Sequence, residues 1–209
     1  TYTEALYVEK MHGHCAYMDY MQFLKQGIDN DEPIIGTYGV NSEGSGDMYP
    51  KGAWMLHTIR SVVNNDSLFF ACLKGIQEEF KMKEVTTDEI LKYMENILGS
   101  SVEMCFDNYL TDAKIPFLEV QYKKRLKGYQ VIFERTMENY TSLPIAYKFE
   151  NSDWTVLKFK MSIHINYGDF CATEWYPIIL KLTKKQFKSL RFNNDLYLYD
   201  VKISKKAKN

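Results

Sequence analysis

The sequence predicts an α+β protein: an N-terminal all-helical part over residues 1–117, followed by a small antiparallel β-sandwich over residues 118–209. Three observations carry this. Apolar residues recur every three or four positions through the first half and every second position through much of the second. The charge changes sign at the same place. Residues 1–118 hold 9 Lys+Arg against 18 Asp+Glu, while residues 119–209 hold 17 against 9, so a net charge of −9 gives way to +8. Turn signals such as Gly128, Asn151-Ser-Asp and Asn193-Asn-Asp then punctuate the second half at strand spacing.

The helices follow in order. Residues 2–26 read as one long helix with Val8, Met11, Cys15, Met18 and Met21 as its buried stripe. Gly13 lies inside it and weakens it by about 1 kcal/mol relative to Ala, and Gly27 ends it. Residues 28–50 carry Gly36, Gly39, Gly44 and Gly46 with Asn30, Asp31 and Pro33, which makes a long loop of the kind that often carries function. Pro50 is suited to the first turn of a second helix, whose apolar stripe is Gly52, Leu56, Ile59 and Val63. Asp66 is placed to cap a third, with Phe69, Leu73, Ile76 and Phe80 on one face. Thr86-Thr-Asp-Glu89 is a capping box for a fourth helix that stops at Gly99. A short fifth helix covers about residues 102–110.

Beyond Lys114-Ile-Pro the period falls to two. Leu157, Phe159, Met161, Ile163 and Ile165 form one alternating strand, and Tyr197, Tyr199, Val201 and Ile203 another. Residues 129–134, 146–150 and 176–182 are shorter strands, the last an edge strand because of Pro177. Six or seven short strands at this spacing predict a β-sandwich, with a disordered tail over residues 205–209.

Composition narrows the classes. A chain of 209 residues with 45% hydrophobic and 25% charged residues is globular, not disordered or fibrous. No apolar run reaches the length of a membrane span. Residues 1–10 lack the pattern of a signal peptide, and without an initiating Met, Thr1 reads as a cut end. Aromatics in the basic half sit at strand alternation, where core packing explains them, so no nucleic-acid partner is expected. Cys15, Cys72, Cys105 and Cys171 form no CxxC pair, and the first three read as buried free thiols on helix faces.

Several residues have the chemistry to form a site. His12-Gly-His14-Cys15 resembles a metal cluster, but adjacent helical side chains diverge by about 100°, and His12 with Cys15 supplies only two ligands. His57 and His164 stand singly. Glu4, Glu9 and Asp19 are carboxylates on the first helix, where Glu4 suits the first turn. The glycines of Asn41–Met48 have the freedom to cradle a phosphate but fit neither the P-loop nor the dinucleotide fingerprint. Asp47-Met-Tyr49-Pro-Lys51-Gly-Ala places a tyrosine where loop becomes helix, from which a hydroxyl can project into a cleft.

Three of these stretches carry a resemblance. Thr1-Tyr-Thr-Glu4-Ala-Leu-Tyr resembles the segment just after the zinc site of aminopeptidase N-type metallopeptidases, the gluzincin aminopeptidases. Tyr49-Pro-Lys51-Gly-Ala, with Leu56 and Arg60 after it, resembles the family's Y-x-K-G motif and the helix it opens. Phe106-Asp-Asn-Tyr-Leu110 and Ile115-Pro116 resemble the end of the family's helical catalytic subdomain and the entry to its β-sandwich. The resemblance covers the whole chain in order.

It implies that the chain is a piece of a zinc-dependent aminopeptidase that removes N-terminal residues from peptides. Tyr49 then corresponds to the catalytic hydroxyl that stabilises the oxyanion, and Glu4 to a carboxylate behind the metal ligands. The departures are as plain. No H-E-x-x-H is present, and neither is the G-x-M-E-N motif that receives the substrate amine. The resemblance therefore implies zinc and a peptide substrate for the intact parent. It implies no metal in this chain alone, which is expected to be inactive without the missing upstream catalytic region. The alternative is a non-catalytic interaction or scaffold module related to the same family.

Overall fold

The computed structural model describes residues 1–37, 39–41, 44–99, 101–134, 144–150, 152–157, 161–164, 172–175, 178–192 and 195–206. Among these residues there are seven α-helices and nine strands, an α+β fold as the sequence predicts. The chain divides into two compact units. One comprises Thr1–Ile115 with Asp195–Leu198, the other Pro116–Asn194 with Tyr199–Asn209.

The helical unit contains α1 (Tyr2–His12), α2 (His14–Gln26), α3 (Pro50–Val63), α4 (Asp66–Glu79), α5 (Thr87–Leu98) and α6 (Ser101–Phe106), which runs on into a π-helical turn, Asp107–Thr111. The predicted single helix over residues 2–26 is in fact two. Gly13 adopts φ 87° and ψ 172°, a conformation open to glycine alone, and ends α1 with its N–H bonded to the Glu9 carbonyl. The break shifts the buried face. Tyr2, Ala5, Tyr17 and Met21 are buried, whereas Met11 and Cys15 are exposed. Cys72 and Cys105 are buried as expected, and burial pushes the Cys105 thiol up to about 12.

α3 is the hub. Lys51, Ala53, Trp54, Met55, His57, Thr58 and Ile59 are all buried, so the helix is enclosed on most sides, not along the single predicted stripe. The Trp54 indole N–H donates to the Met21 carbonyl of α2 at 2.7 Å. Arg60 donates to Glu9 of α1 and to Asp66 of α4, each at 2.7 Å, and so ties three helices together. Pro50 stands in the first turn, where its missing N–H costs nothing. Asn65, not Asp66, caps α4 by accepting the Leu68 N–H. The Thr86–Glu89 capping box of α5 is formed in both directions.

The second unit holds β1 (Phe117–Arg125), β2 (Gly128–Glu134), β3 (Ile145–Lys148), β4 (Thr155–Leu157), β5 (Met161–His164), β6 (Ala172–Trp175), β7 (Ile178–Leu182), α7 (Lys184–Ser189), β8 (Arg191–Phe192) and β9 (Asp200–Lys205). The strands form a four-stranded sheet in the order β7-β2-β1-β9, a three-stranded sheet β4-β3-β8, and the pair β5-β6. Neighbours pair antiparallel except β1 with β9, which run parallel. Leu118, Val120, Val131, Phe133, Ile145, Ala146 and Leu182 are buried, and Phe133 of β2 meets Phe192 of β8 edge-on, which joins the two larger sheets. The predicted strand over 157–165 appears as β4 and β5, with residues 158–160 outside the described part. β7 lies at a sheet edge as predicted, although Pro177 is outside the described residues.

Two elements differ from expectation. α7 interrupts the strands, capped by a Thr183–Gln186 box and docked by Phe187, which stacks on Tyr129 with centroids 4.1 Å apart. The last strand begins at Asp200, not at Tyr197, because Asp195–Leu198 belongs to the helical unit. There the Leu198 N–H donates to Thr58 and its carbonyl accepts from the Tyr109 hydroxyl. β9 extends to Lys205, and the Lys206 N–H reaches the Tyr122 carbonyl, so the start of the predicted tail is ordered; residues 207–209 lie outside the described part.

Candidate active site

The junction from loop to α3 places the candidate tyrosine. Residues Gly46–Met48 form one 3-10 turn, capped by the Ser45 hydroxyl, which accepts the Asp47 N–H at 3.1 Å. The same hydroxyl donates to Asp31 at 2.9 Å, and that bond holds the Asp31 carboxyl below its usual range. Asp47 is buried, and its two carboxylate oxygens accept the N–H groups of Asp29 and Asn30 at 2.8 and 2.9 Å. An internal carboxylate thus occupies the two N–H donors at the start of the loop. Asn30 in turn accepts the Ile115 N–H, and the Ile35 N–H reaches the Leu110 carbonyl. The loop shapes a cleft of about 440 Å³ lined by Glu32, Pro33, Ile35, Thr37 and Val40 among others.

Tyr49 follows directly, in the last position before α3, and is 62% exposed. Two residues on, Lys51 is fully buried. Its ammonium donates to the carbonyls of Asp112 and Ala113 at 2.6 and 2.8 Å. Burial pushes the Lys51 pKa down, and the charges of Asp47, Asp112 and Asp31 oppose that. The motif Tyr-x-Lys-Gly therefore splits into an anchoring lysine and a tyrosine whose ring projects outward. The backbone that carries the ring is fixed on one side by Asp47 and on the other by Lys51.

Glu4 lies one turn into α1, exposed, and accepts the Tyr20 hydroxyl at 3.0 Å. Among the described residues no hydrogen bond joins it to Tyr49. Asp19 is exposed. Glu9 is committed elsewhere. Burial opposes its ionisation, but hydrogen bonds from Arg60 and His14 outweigh burial and hold its carboxyl below the ordinary range.

The histidines and Cys15 do not converge. Gly13 separates His12 from Cys15 on different helices, and His14 turns back to Glu9 at 2.9 Å. His57 is buried with both ring nitrogens engaged, Nδ1 with the Tyr17 hydroxyl at 2.6 Å and Nε2 with the Asp195 carbonyl at 2.8 Å. A carbonyl only accepts, so Nε2 carries the proton and Nδ1 accepts from Tyr17. Burial keeps the Tyr17 phenol protonated and the imidazole neutral, pushing the first pKa up and the second down. Sequence alone gave His57 no partner, because Tyr17 and Asp195 lie 40 and 138 positions away. The His164 side chain lies outside the described part. Among the described residues no three His, Cys, Asp or Glu stand together to hold a metal ion, so these residues do not fit a zinc site.

No protein-family model and no curated protein matches the chain. Solved structures do. Legionella pneumophila aminopeptidase A, in complex with aspartic acid, matches over 96% of this chain and 23% of its own, with a TM-score of 0.63 and 12% identity. An M1 zinc metallopeptidase variant from Deinococcus radiodurans, bound to a tyrosine-serine-alanine substrate, matches over 55% of this chain and 26% of its own, with a TM-score of 0.48 and 20% identity. The chain thus spans about a quarter of the length of these structures. The likeness is one of fold: the helical unit and the strands after it are built like part of an aminopeptidase.

Proposed function

We propose that the chain is part of a zinc-dependent aminopeptidase that hydrolyses N-terminal residues from peptides, with Tyr49 as its catalytic hydroxyl. The observation that carries this reading is the position of Tyr49: an exposed phenol on a backbone locked by buried Asp47 and Lys51. That arrangement suits a preorganised donor. When a peptide carbonyl becomes tetrahedral, charge gathers on its oxygen, and a fixed hydroxyl stabilises it without reorganisation. An uncharged phenol favours that oxyanion over the ground-state carbonyl without binding the substrate tightly beforehand.

Among the described residues no metal-ligand set stands together, and the sequence lacks the G-x-M-E-N motif, so in this reading the metal ligands and the amine-receiving group come from other parts of the parent. Glu4, hydrogen-bonded to Tyr20, takes the lesser part of a carboxylate that orients a ligand from behind. By itself the chain is expected to be inactive.

The test is an assay of the full-length protein on peptides with free and with acetylated N-termini. Release of the first residue from the free peptide alone, lost on chelation and restored by zinc, supports the reading. A folded full-length protein that releases nothing under these conditions supports the non-catalytic interaction module instead.

A further inference from the structure

Away from that junction, the β-unit contains a cavity of about 550 Å³ between β3, α7 and β8. Its lining includes Lys148, Lys185, Lys188 and Arg191, with Glu150 as the one carboxylate among the described residues and Phe149 as an apolar wall. The sequence concentrates charge in and around α7: Lys181, Lys184, Lys185, Lys188 and Arg191 fall within eleven residues that contain no Asp or Glu, and the last three of them line the cavity.

The strand register makes this charge costly. Lys148 of β3 is paired directly with Arg191 of β8. Like charges placed opposite each other across a sheet repel. Among the described residues no carboxylate forms an ion pair with Lys148, Lys185, Lys188 or Arg191. The positive charges are nevertheless held in place. Lys148 sits over the Trp154 ring at 4.6 Å, and Arg191 Nη1 donates to the Leu190 carbonyl at 2.9 Å and the Lys188 carbonyl at 3.4 Å, while among the described residues its Nε and Nη2 donate to no acceptor.

From this we propose that the cavity binds a compact polyvalent oxyanion, a small molecule bearing phosphate or several carboxylates. The volume lies in the ordinary range of small-ligand sites. Cations from one strand pair and one helix line it, and a planar guanidinium with neighbouring ammoniums suits the oxygens of phosphate and carboxylate alike. A bound anion also relieves the repulsion between Lys148 and Arg191. This site is independent of Tyr49 and of any peptidase activity.

The test is calorimetric titration of the purified protein with tripolyphosphate and with citrate at low ionic strength. Saturable one-to-one binding is expected, and the stronger of the two ligands identifies the oxyanion class. Lys148→Gln and Arg191→Gln should each weaken binding at least tenfold, while Lys127→Gln, which removes the same charge outside this cavity, should weaken it less than twofold. Arg191→Glu separates a binding site from a merely basic surface. It should abolish binding yet raise the melting temperature, because an opposite charge then faces Lys148. Equal weakening by all three Gln variants, or non-saturable binding, overturns the proposal. So does tighter binding of duplex DNA or of anionic vesicles than of either small anion.

Discussion

The Lys51 ammonium lies 2.6 Å from the main-chain carbonyl oxygen of Asp112, a residue 61 positions further along the chain. It reaches Ala113 as well, and both residues sit just past the π-helical turn that ends the run of helices. A buried lysine thus closes the helical unit by gathering the carbonyls at its exit. A few residues earlier, Asp47 gathers the N–H groups of Asp29 and Asn30 in the complementary way. Positive charge takes acceptors, negative charge takes donors, and Tyr49 stands between the two anchors.

Lys51→Met should therefore destabilise the protein far more than a surface lysine change would. The methionine fills much of the volume but removes the donor that the part-buried carbonyls of Asp112 and Ala113 share, at up to about 1–3 kcal/mol for an unpaired group. Urea unfolding should show a lower midpoint with an unchanged slope. A midpoint equal to that of the wild type would show that water replaces the ammonium.

Gly13→Ala has opposite signs under the two descriptions of residues 2–26. In a continuous helix the change would stabilise by about 1 kcal/mol. At φ 87° and ψ 172° an alanine is strained by about 1–3 kcal/mol. Nothing lies within 4 Å of the added Cβ, so no clash confuses the reading. Thermal melts should show Gly13→Ala less stable than wild type.

That position also shows what the sequence could and could not reveal. The helical period survives a break at one glycine, so Val8, Met11 and Cys15 fit a stripe on paper, whereas the break moves burial to Tyr2, Ala5 and Tyr17. Local chemistry was legible where it is contained in a few residues: the Thr86–Glu89 box, Pro50 in a first turn, Gly99 at a helix end. The Thr183–Gln186 box carries the same signal, but the alternation on either side of it masked α7. Partnerships across the fold leave no local trace. Lys51 with Asp112 and His57 with Asp195 are set by packing of distant segments, and the return of residues 195–198 to the helical unit hides inside what reads as one strand. Tyr49 was singled out by motif resemblance, and the structure adds its exposure and the anchors on either side.

The His57 bridge sets a pH dependence. Burial holds the folded imidazole pKa below the ordinary 6.5, against the hydrogen bond to Asp195, and the charges of Arg60 and His14 push the same way while Glu9 opposes them. The unfolded chain therefore takes up a proton first as pH falls. Stability from this group is complete above pH 6.5 and is lost as pH falls from there through the lowered folded value, by up to about 1.4 kcal/mol per pH unit. Glu9 and Asp66, both held below their ordinary ranges, withdraw their contributions at lower pH. Between pH 6.5 and 5, His57→Gln should thus show a shallower decline in unfolding free energy than wild type. Parallel declines in the two proteins would remove His57 as the cause.

Tyr49→Phe is the decisive substitution for the proposed activity. The ring is retained, and the residue is 62% exposed, so deleting its hydroxyl should leave folding and melting temperature unchanged. If the proposed function holds, loss of one oxyanion donor in the full-length protein should cost about 2.7–4 kcal/mol, roughly a hundred- to a thousand-fold in kcat. Because the hydroxyl acts on charge that develops only in the transition state, KM should move far less than kcat. Lys51→Met supplies the contrast: its defect should appear first in stability, and activity per folded molecule should fall less than in Tyr49→Phe if the anchor shifts the tyrosine without removing it. A Tyr49→Phe enzyme with metal content intact and kcat within about threefold of wild type, well short of the loss of one donor, would return Tyr49 to the role of a helix-start residue whose hydroxyl meets only water.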